Sequence, residues 1–481
     1  MITCVRKYSI FITSLLFTLP LQIQADALLT STLDEILSAK CLDKSQTAVS
    51  IISVPSNESV YSRNALAPLL PASVMKIVTT VAALDYLGPE YRFKTEFLYT
   101  GQRSSETILG DLYIRGRGDP KLTPEKLWQI AMQIKGRGIS HITGNLMIDT
   151  SFFDNLDRPP AWQDKRTQRA YDAGLSALSV NFNTVAVHVH PGISVGDEVA
   201  VWLEPWPDSL TLDISATTTA SGRNRLSVTR SSEAGSVKVS VKGQLPMGES
   251  EAVFYRNIEN PARYAAETFF TFLRQAGVRI DGVPQTGRTT PANAKPLYTY
   301  MSQPLAMVLK ELNTYSNNFI AEQLIKTLAA EISGAPGSHA EGTRLVMNFL
   351  RKYGIDTRGT VIVDGSGLSR QNQLSTQAIV DVLSNAYIRF DIGPDFLASL
   401  PVLGAEGGAK KRFLHSPARA QIRAKTGTLN GVSTLAGYVS TQIGRVYSYA
   451  IFLNNNRCGH RGADSIENKL VNAIYTLGDS Y

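Results

Sequence analysis

Pro71-Ala72-Ser73-Val74-Met75-Lys76 begins an apolar segment that continues to Gly88-Pro89, and the interpretation of the whole chain depends on it. A helix that is apolar all round is a buried one. Residues three apart on a helix share a face, so Ser73 and Lys76 can touch. Desolvation disfavours the ammonium form of Lys76, which would then be a base beside a nucleophile. Taken alone, the pair is also explained by a helix cap and a snorkelling lysine.

Two further motifs follow in chain order, Ser316-Asn317-Asn318 and Lys425-Thr426-Gly427. The ordered set S-x-x-K, S-x-N, K-T-G is typical of penicillin-binding proteins and class A β-lactamases. The first and last elements each occur once in the chain, whereas the middle one is also matched by Ser179-Val180-Asn181. The position of the middle motif therefore stays open on these residues alone.

The segment Lys425-Thr426-Gly427-Thr428 is expected at the end of an exposed strand. Glycine weakens a strand unless something must approach its backbone closely, and a peptide substrate added as an extra strand is such a thing. Lys425 supplies a cation for a substrate carboxylate. Backbone N–H groups of Ser73 and Thr428 are then candidates for an oxyanion hole. The plain alternative for this tripeptide is a tight turn.

The first residues predict an export signal. Arg6 and Lys7 precede an apolar run over 10–21, and Ala25 offers a small residue for cleavage, so residues 1–25 are assigned to a signal peptide. A membrane anchor is the alternative, but the run is shorter than the ~20 residues that span a bilayer. The mature protein is then expected to be soluble and periplasmic, with no transmembrane segment and at most a loose association with membrane or wall.

Composition excludes several classes of protein. The net charge of +7 suits either solubility or an anionic surface, and no basic run with interleaved aromatics indicates nucleic acid. The six histidines lack the spacing of metal ligands, so neither a metal nor another cofactor is expected.

The distribution of short and long apolar patterns predicts an α+β chain. Its 481 residues exceed a single core. Short strand-like runs separated by Gly, Pro, Ser and Asn mark a β-rich insert over 93–294, with two subdomains. Residues 26–92 and 295–481 form the catalytic domain that this insert interrupts. That domain ends in the order strand, strand, strand, helix.

The chain resembles the class C, low-molecular-mass penicillin-binding proteins, the D-alanyl-D-alanine carboxypeptidase and endopeptidase family S13. Beyond the motifs above, the resemblance is carried by Gly118-Asp119-Pro120, by residues 176–183, by residues 364–370 and by Lys425-Thr426-Gly427-Thr428-Leu429. It implies a transpeptidase-like domain, an antiparallel sheet with helices on both faces. In that family the middle motif follows the insert, which favours Ser316 and Asn318 and leaves the Ser179 segment a structural role.

The resemblance also implies the role of each site residue. Ser73 is acylated with release of D-alanine, and Lys76 takes its proton. Ser316 relays a proton to the leaving amine, and Asn318 orients Lys76 and the substrate amide. Lys425, Thr426 and Thr428, on the strand that contains Gly427, hold the terminal carboxylate. The chain departs from relatives at Gly407-Gly408-Ala409, where Gly-Thr-Leu is common, and this puts nearby contacts in doubt.

The expected substrates are peptidoglycan stem peptides, and the expected inhibitors are β-lactams. Family resemblance places a wall for the diaminopimelate side chain in the insert, with Trp162 and Asp164 as candidates, although a solvated loop explains them equally well. Two alternatives remain. A serine β-lactamase shares nucleophile and fold but lacks so long an insert, and a penicillin-binding sensor or scaffold usually carries transmembrane segments. The balance of carboxypeptidase and endopeptidase activity, and dimerisation, stay open.

The resemblance further implies a pairing for Cys41 and Cys458. In the penicillin-recognising fold the first strand pairs antiparallel with the last, so a residue just before the first lies beside one just after the last. The first strand begins near Ala48 and the last ends near Leu453. A disulfide is therefore expected in an oxidising compartment, and the alternative is two separate thiols.

Overall fold

The computed structural model describes residues 19–54, 56–162, 166–233 and 236–480. Residues 1–18 of the expected signal peptide, and the candidate Asp164, lie outside this part of the chain. A helix over Leu19–Ile36 runs through the expected cleavage position after Ala25.

The described residues contain ten α-helices, which are α1 (Leu19–Ile36), α2 (Met75–Leu87), α3 (Pro124–Gly136), α4 (Pro261–Gln275), α5 (Leu305–Tyr315), α6 (Asn318–Leu328), α7 (His339–Lys352), α8 (Thr376–Ile388), α9 (Gly393–Ser399) and α10 (Gly459–Leu477). They also contain twenty strands, which are β1 (Thr47–Val54), β2 (Glu58–Arg63), β3 (Arg92–Tyr99), β4 (Gln102–Ser104), β5 (Thr107–Leu109), β6 (Leu112–Gly116), β7 (His141–Ile142), β8 (Leu146–Asp149), β9 (Thr184–His190), β10 (Ala200–Glu204), β11 (Leu210–Thr219), β12 (Ser227–Glu233), β13 (Ser236–Pro246), β14 (Ala252–Asn257), β15 (Arg279–Ile280), β16 (Pro284–Gln285), β17 (Lys295–Pro304), β18 (Ile422–Leu429), β19 (Val432–Ser440) and β20 (Val446–Leu453).

The chain folds into two compact units. The first unit comprises Met1–Ile77, Ile355–Thr360 and Gln373–Tyr481, and the second comprises Val78–Gly354 and Val361–Asn372. The expected insert, 93–294, falls entirely within the second unit, and its boundaries and its subdivision stay predictions.

The first unit is built on a five-stranded antiparallel sheet in the order β18-β19-β20-β1-β2. Alternate side chains of a strand face opposite sides of a sheet, and here both sides are covered. Val49 and Ile51 of β1 belong to the apolar core that includes residues of α1 and α10. Ser50, on the other side, hydrogen-bonds Thr376 of α8 at 2.8 Å. The predicted antiparallel sheet with helices on both faces is confirmed.

The predicted disulfide is present in the first unit. β1 pairs antiparallel with β20 so that Thr47 lies opposite Leu453. Cys41 lies just before β1 and Cys458 lies just after β20, so both are at the same end of this strand pair. Their sulfurs are bonded, and their Cα atoms are 4.9 Å apart. The bridge joins positions 417 residues apart, so it constrains the unfolded chain strongly.

The second unit contains four sheets, in the orders β10-β9-β14, β11-β13-β12, β15-β7-β5-β4 and β16-β8-β6-β3-β17. In the described residues, one apolar core of this unit lies around α3 and α4, and another lies between the sheet that contains β9 and the sheet that contains β13. Helices α3 and α4 were not expected in a β-rich segment. Strand β17 pairs with β3, so residues just after 294 complete a sheet whose other strands lie before it.

Helices α5, α6 and α7 follow β17, and α6 continues into a π-helical turn at Ala329–Ser333. Helix α8 had not been predicted. Within the described residues, no helix is both long enough and apolar enough to cross a membrane.

Candidate active site

Ser73 lies on a tight turn just before α2. Residues Ala72–Val74 form a 3-10 turn, and α2 begins only at Met75, so Ser73 precedes the α-helix that had been expected to start at Pro71. Ala72 has a φ of 44°, in the left-handed region that non-glycine residues seldom occupy. Such strain persists only where the surroundings hold it, and it is common at functional sites.

Lys76 is the group in contact with Ser73. Its Nζ lies 3.0 Å from Ser73 Oγ, and the side chain is fully buried among the apolar residues of α2. The predicted contact between residues three apart is therefore present, although the serine stands in the turn and not in the helix.

The strand β18 lies directly against this turn. A side chain at Gly427 would place its Cβ 2.8 Å from the backbone nitrogen of Ser73 and 2.2 Å from Thr434 Oγ1. Thr434 of the adjacent strand donates to the Pro71 carbonyl at 2.9 Å. Glycine is thus required at position 427 because the turn that carries Ser73 packs directly against this part of β18. The close approach at this glycine is made by Ser73 and Thr434, and the approach of a substrate strand stays a prediction.

Lys425 is buried beside the same turn. Its Nζ donates to the carbonyl of Thr426 at 2.7 Å. Burial holds the pKa of the Lys425 ammonium well below its usual range, and the charge of Lys76 lowers it further. The interaction between two buried amines is mutual, so this site does not favour two positive charges at once.

The outer edge of β18 is paired over only part of its length. Leu403 donates to the Ile422 carbonyl at 3.0 Å, and Ala424 donates to the Pro401 carbonyl at 3.2 Å. This pairing covers the first residues of the strand. Lys425, Thr426 and Thr428 follow it along the edge, and Thr428 is exposed.

Ser316 and Asn318 belong to the second unit, where they join α5 to α6. Ser316 ends α5 in the left-handed conformation, with φ of 55°. Asn317 caps α6, since its Oδ1 accepts from the Ile320 nitrogen at 3.1 Å. Asn318 then begins α6 and donates through Nδ2 to the Tyr171 carbonyl at 3.2 Å. Both Ser316 and Asn318 line a cavity of about 520 Å³.

Trp162 also lies in the second unit, and it is buried. Its indole Nε1 donates to Asp364 Oδ2 at 3.0 Å, and the guanidinium of Arg158 lies 5.5 Å from its ring centroid. Trp162 lines a cavity of about 250 Å³ together with Arg370 and Tyr171. The assignment of Trp162 to a substrate side-chain wall stays a prediction, and Asp164 lies outside the described residues.

Asp364 organises a segment that the sequence singled out but to which it gave no role. Besides the Trp162 indole, its carboxylate accepts from the backbone nitrogens of Gly367 and Ser369, each at 2.7 Å, and from Asn372 Nδ2 at 2.7 Å. The buried Glu322 carboxylate accepts from Ser366 N at 2.8 Å. Burial raises the pKa of Glu322, and the nearby Asp364 charge raises it further. These two carboxylates fix the loop that carries Arg370.

The sequence-predicted residues therefore fall into two described sets. Ser73, Lys76 and the strand Lys425–Thr428 come together in the first unit. Ser316, Asn318 and Trp162 belong to the second unit. In the described part of the chain, no cluster of three or more His, Cys, Asp or Glu side chains is arranged to hold a metal ion.

The antiparallel sheet and the Ser73–Lys76 pair correspond to one class of protein, the serine hydrolases of the penicillin-recognising fold. The chain belongs to the D-Ala-D-Ala carboxypeptidase 3 (S13) family, whose model matches residues 29–476. It is therefore an enzyme, a serine-type D,D-peptidase.

Relatives and solved structures agree with this assignment. The D-alanyl-D-alanine carboxypeptidase of Actinomadura sp. (strain R39) is 34% identical over 445 residues, which are 89% of this chain and 81% of that protein. The D-alanyl-D-alanine carboxypeptidase DacB of Haemophilus influenzae is 28% identical over 84% of each chain. The crystal structure of penicillin binding protein 4 from H. influenzae superposes with a TM-score of 0.79 at 24% identity, covering 93% of this chain and 99% of that one. A complex of that protein with a β-lactam gives a TM-score of 0.74 at 25% identity, covering 92% and 99%.

Proposed function

We propose that this enzyme cleaves the D-alanyl-D-alanine bond of peptidoglycan stem peptides through an acyl-enzyme on Ser73. The observation that carries the proposal is the 3.0 Å contact between Lys76 Nζ and Ser73 Oγ in a buried site. A nucleophile and its base at hydrogen-bonding distance are the minimum equipment for covalent catalysis.

Lys76 is the general base in this proposal. The lowered pKa of Lys425 has burial and then the charge of Lys76 as its causes, which supports a resting state in which one of the two amines is neutral. Lys76 is assigned that state because its Nζ is the one in contact with the hydroxyl. The neutral amine takes the Ser73 proton as the Oγ–C bond forms. The negative charge of the incoming substrate carboxylate favours the protonated form of Lys425, which then binds that carboxylate.

The substrate adds to the edge of β18 as an extra strand. The segment 401–403 pairs with the first part of this edge, and Lys425 to Thr428 continue it, which supports peptide binding along those residues. Thr426 and Thr428 contribute hydroxyls to the terminal carboxylate. The backbone N–H groups of Ser73 and Thr428 stabilise the oxyanion that develops on the scissile carbonyl.

Ser316 and Asn318 serve the departure of D-alanine. Ser316 relays a proton to the leaving amine, and Asn318 orients the substrate amide. Membership of the S13 family supports both assignments, as does the position of both residues on the wall of a cavity. Trp162 and Asp164 are proposed to form part of a wall for the stem-peptide side chain, Asp164 pairing with its free ammonium.

The same serine would be acylated by penicillin, because a β-lactam mimics acyl-D-alanyl-D-alanine and its leaving group stays tethered. The relative that was crystallised with a β-lactam supports this. We place the mature enzyme in the periplasm, where its substrate is found.

The test is the set of products that the mature protein forms. Incubation with disaccharide pentapeptide should release D-alanine, and incubation with a crosslinked dimer measures endopeptidase activity, both read by mass spectrometry. Rapid turnover of a chromogenic cephalosporin without D-alanine release would indicate a β-lactamase instead. Penicillin binding without turnover of either substrate would indicate a sensor or scaffold. The variant Asp164→Asn tests the side-chain wall, because equal activity on peptides with and without the free amine removes that assignment.

A further inference from the structure

The cavity beside Ser316 and Asn318 is lined by aromatic rings that remain exposed. Tyr171, Tyr255 and Tyr315 lie on its walls and are 50%, 53% and 73% exposed. With a volume of about 520 Å³, the cavity is large enough for a drug-sized ligand. Exposed tyrosines grouped around a cavity are more typical of a binding site than of a core.

Tyr255 connects this cavity to the outer face of the sheet β10-β9-β14. Tyr255 of β14 lies opposite Ala186 of β9. Two residues earlier on β14, Val253 lies opposite His188 of β9. Trp202 of β10 lies opposite His188 from the other side. Side chains two apart share a face, so these residues stand on one surface, while Val187 and Leu203 between them enter the apolar core.

The centre of this outer face is a stacked aromatic pair in which His188 covers one face of the Trp202 indole. The rings of His188 and Trp202 stack with centroids 3.8 Å apart and an angle of 10° between planes. Glu251 lies 2.7 Å from His188 Nδ1, which holds the imidazole against the indole. Trp202 is nevertheless 42% exposed. A large exposed indole whose orientation is set by neighbours is preorganised for binding.

Two carboxylates lie beside the histidines of this face. Glu204 lies 3.5 Å from His188 Nε2, and Glu251 contacts His190 as well, at 3.3 Å. Carboxylates accept hydrogen bonds from hydroxyl groups and repel phosphates and other anions. Aromatic faces that stack on apolar ring faces, bordered by acceptors for hydroxyls, match the chemistry of a neutral saccharide.

We infer that the outer face of the sheet β10-β9-β14 and the adjoining tyrosine-lined cavity bind the glycan strand of peptidoglycan, with N-acetylhexosamine rings stacked on Trp202 and Tyr255. This inference rests on the proposed function, since that function makes a glycan-borne peptide the substrate. It adds a specificity site for the sugar that adjoins Ser316 and Asn318, the residues proposed to act on the peptide.

The experiment measures saccharide binding directly, without turnover. The full mature protein is titrated by calorimetry with chitotetraose, a peptide-free chain of β-1,4-linked N-acetylglucosamine. The variants are Trp202→Ala and Tyr255→Ala, and the matched control is Trp128→Ala on α3, whose ring is 44% exposed. Binding should weaken at least tenfold in the first two variants and stay within twofold in the control. Trp202→Phe keeps an aromatic face and should retain binding within about threefold.

A kinetic arm separates this inference from the proposed function. The ratio of kcat/KM on glycan-borne pentapeptide to kcat/KM on the pentapeptide alone should fall about tenfold in Trp202→Ala and remain constant in Trp128→Ala. Absence of chitotetraose binding in the wild type, or equal losses in Trp202→Ala and Trp128→Ala, overturns the inference even when D-alanine release is normal. Absence of D-alanine release with intact saccharide binding counts against the proposed function alone.

Discussion

Two segments of the second unit share the pattern Ser-x-Asn and have different surroundings. Ser179 is buried; its hydroxyl donates to the Ser176 carbonyl at 2.8 Å and accepts from Asn183 Nδ2 at 3.0 Å and Gln323 Nε2 at 3.1 Å. A hydroxyl has one donor and two acceptor positions, so every position is filled by the protein. Ser316 instead stands in a left-handed turn on the wall of a cavity. The structural role expected for the Ser179 segment is confirmed.

Two buried lysines have different partners. Lys326 Nζ donates to Asp154 Oδ1 at 2.6 Å, to the Asp154 carbonyl at 3.3 Å and to the Leu156 carbonyl at 2.8 Å, which uses its three protons. Lys76 Nζ contacts the hydroxyl of Ser73. These partners, which residue type does not reveal, distinguish an ion pair within the fold from a contact with the candidate nucleophile.

The largest expected effect is on the acylation rate, and it distinguishes Lys76 from Lys326. Lys76→Arg should lower the rate of acylation by labelled penicillin about 10³-fold, because a guanidinium is not deprotonated in proteins. Lys326→Met should instead lower the free energy of unfolding by roughly 3 kcal/mol, because it leaves Asp154 without its cation. Its folded fraction should acylate within a few-fold of wild type. Near-normal acylation in Lys76→Arg would place the base elsewhere.

Variants at Ser316 and Ser179 should show a smaller difference in acylation rate. Ser316→Ala should slow acylation about 10²-fold with little change in stability, since proton relay by a positioned group contributes on that order. Ser179→Ala should leave the rate constant unchanged and cost about 1–3 kcal/mol of unfolding free energy, because it strands buried partners. Stopped-flow acylation and urea unfolding measure the two quantities. Equal losses of acylation rate in Ser316→Ala and Ser179→Ala would show that the two serines do not differ in role.

Asp119, in the Gly118-Asp119-Pro120 segment, extends the comparison to a residue that serves the fold. It is buried, accepts from Lys121 N at 2.8 Å, and burial raises its pKa to about 7. The folded protein then retains a proton that the unfolded chain releases near its usual pKa, so stability should fall as pH rises from about 4 to 7, by up to about 1.4 kcal/mol per unit. Asp119→Asn should remove this slope in urea unfolding at pH 4.5 and 7.5. An unchanged slope would show that Asp119 is ionised in the fold.

The antiparallel sheet with helices on both faces and the disulfide were expected from the family resemblance, and the succession of three strands and a helix at the end of the first unit was expected from the apolar pattern. Helix α8 was missed although Ser375 caps it, its hydroxyl accepting from Ala378 N at 3.0 Å. A serine before an apolar stretch is a weak signal among many serines.

Other features depend on residues brought together from distant positions. The left-handed conformation of Ala72 has no sequence signal, because alanine rarely adopts it. The hydrogen bond from Trp162 to Asp364 joins residues 202 positions apart. The shared surface of Trp202, His188 and Tyr255 likewise depends on the register of three strands, which the sequence pattern does not give.

The identity of the nucleophile is tested by the mass of the penicillin adduct. Wild-type protein incubated with penicillin should gain the mass of one acyl group, and peptide mapping should place it on Ser73. Ser73→Ala should remain folded, as judged by circular dichroism, and should gain no mass. An adduct of equal yield in Ser73→Ala, mapped to a different serine, would contradict the assignment of Ser73 and with it the proposed mechanism.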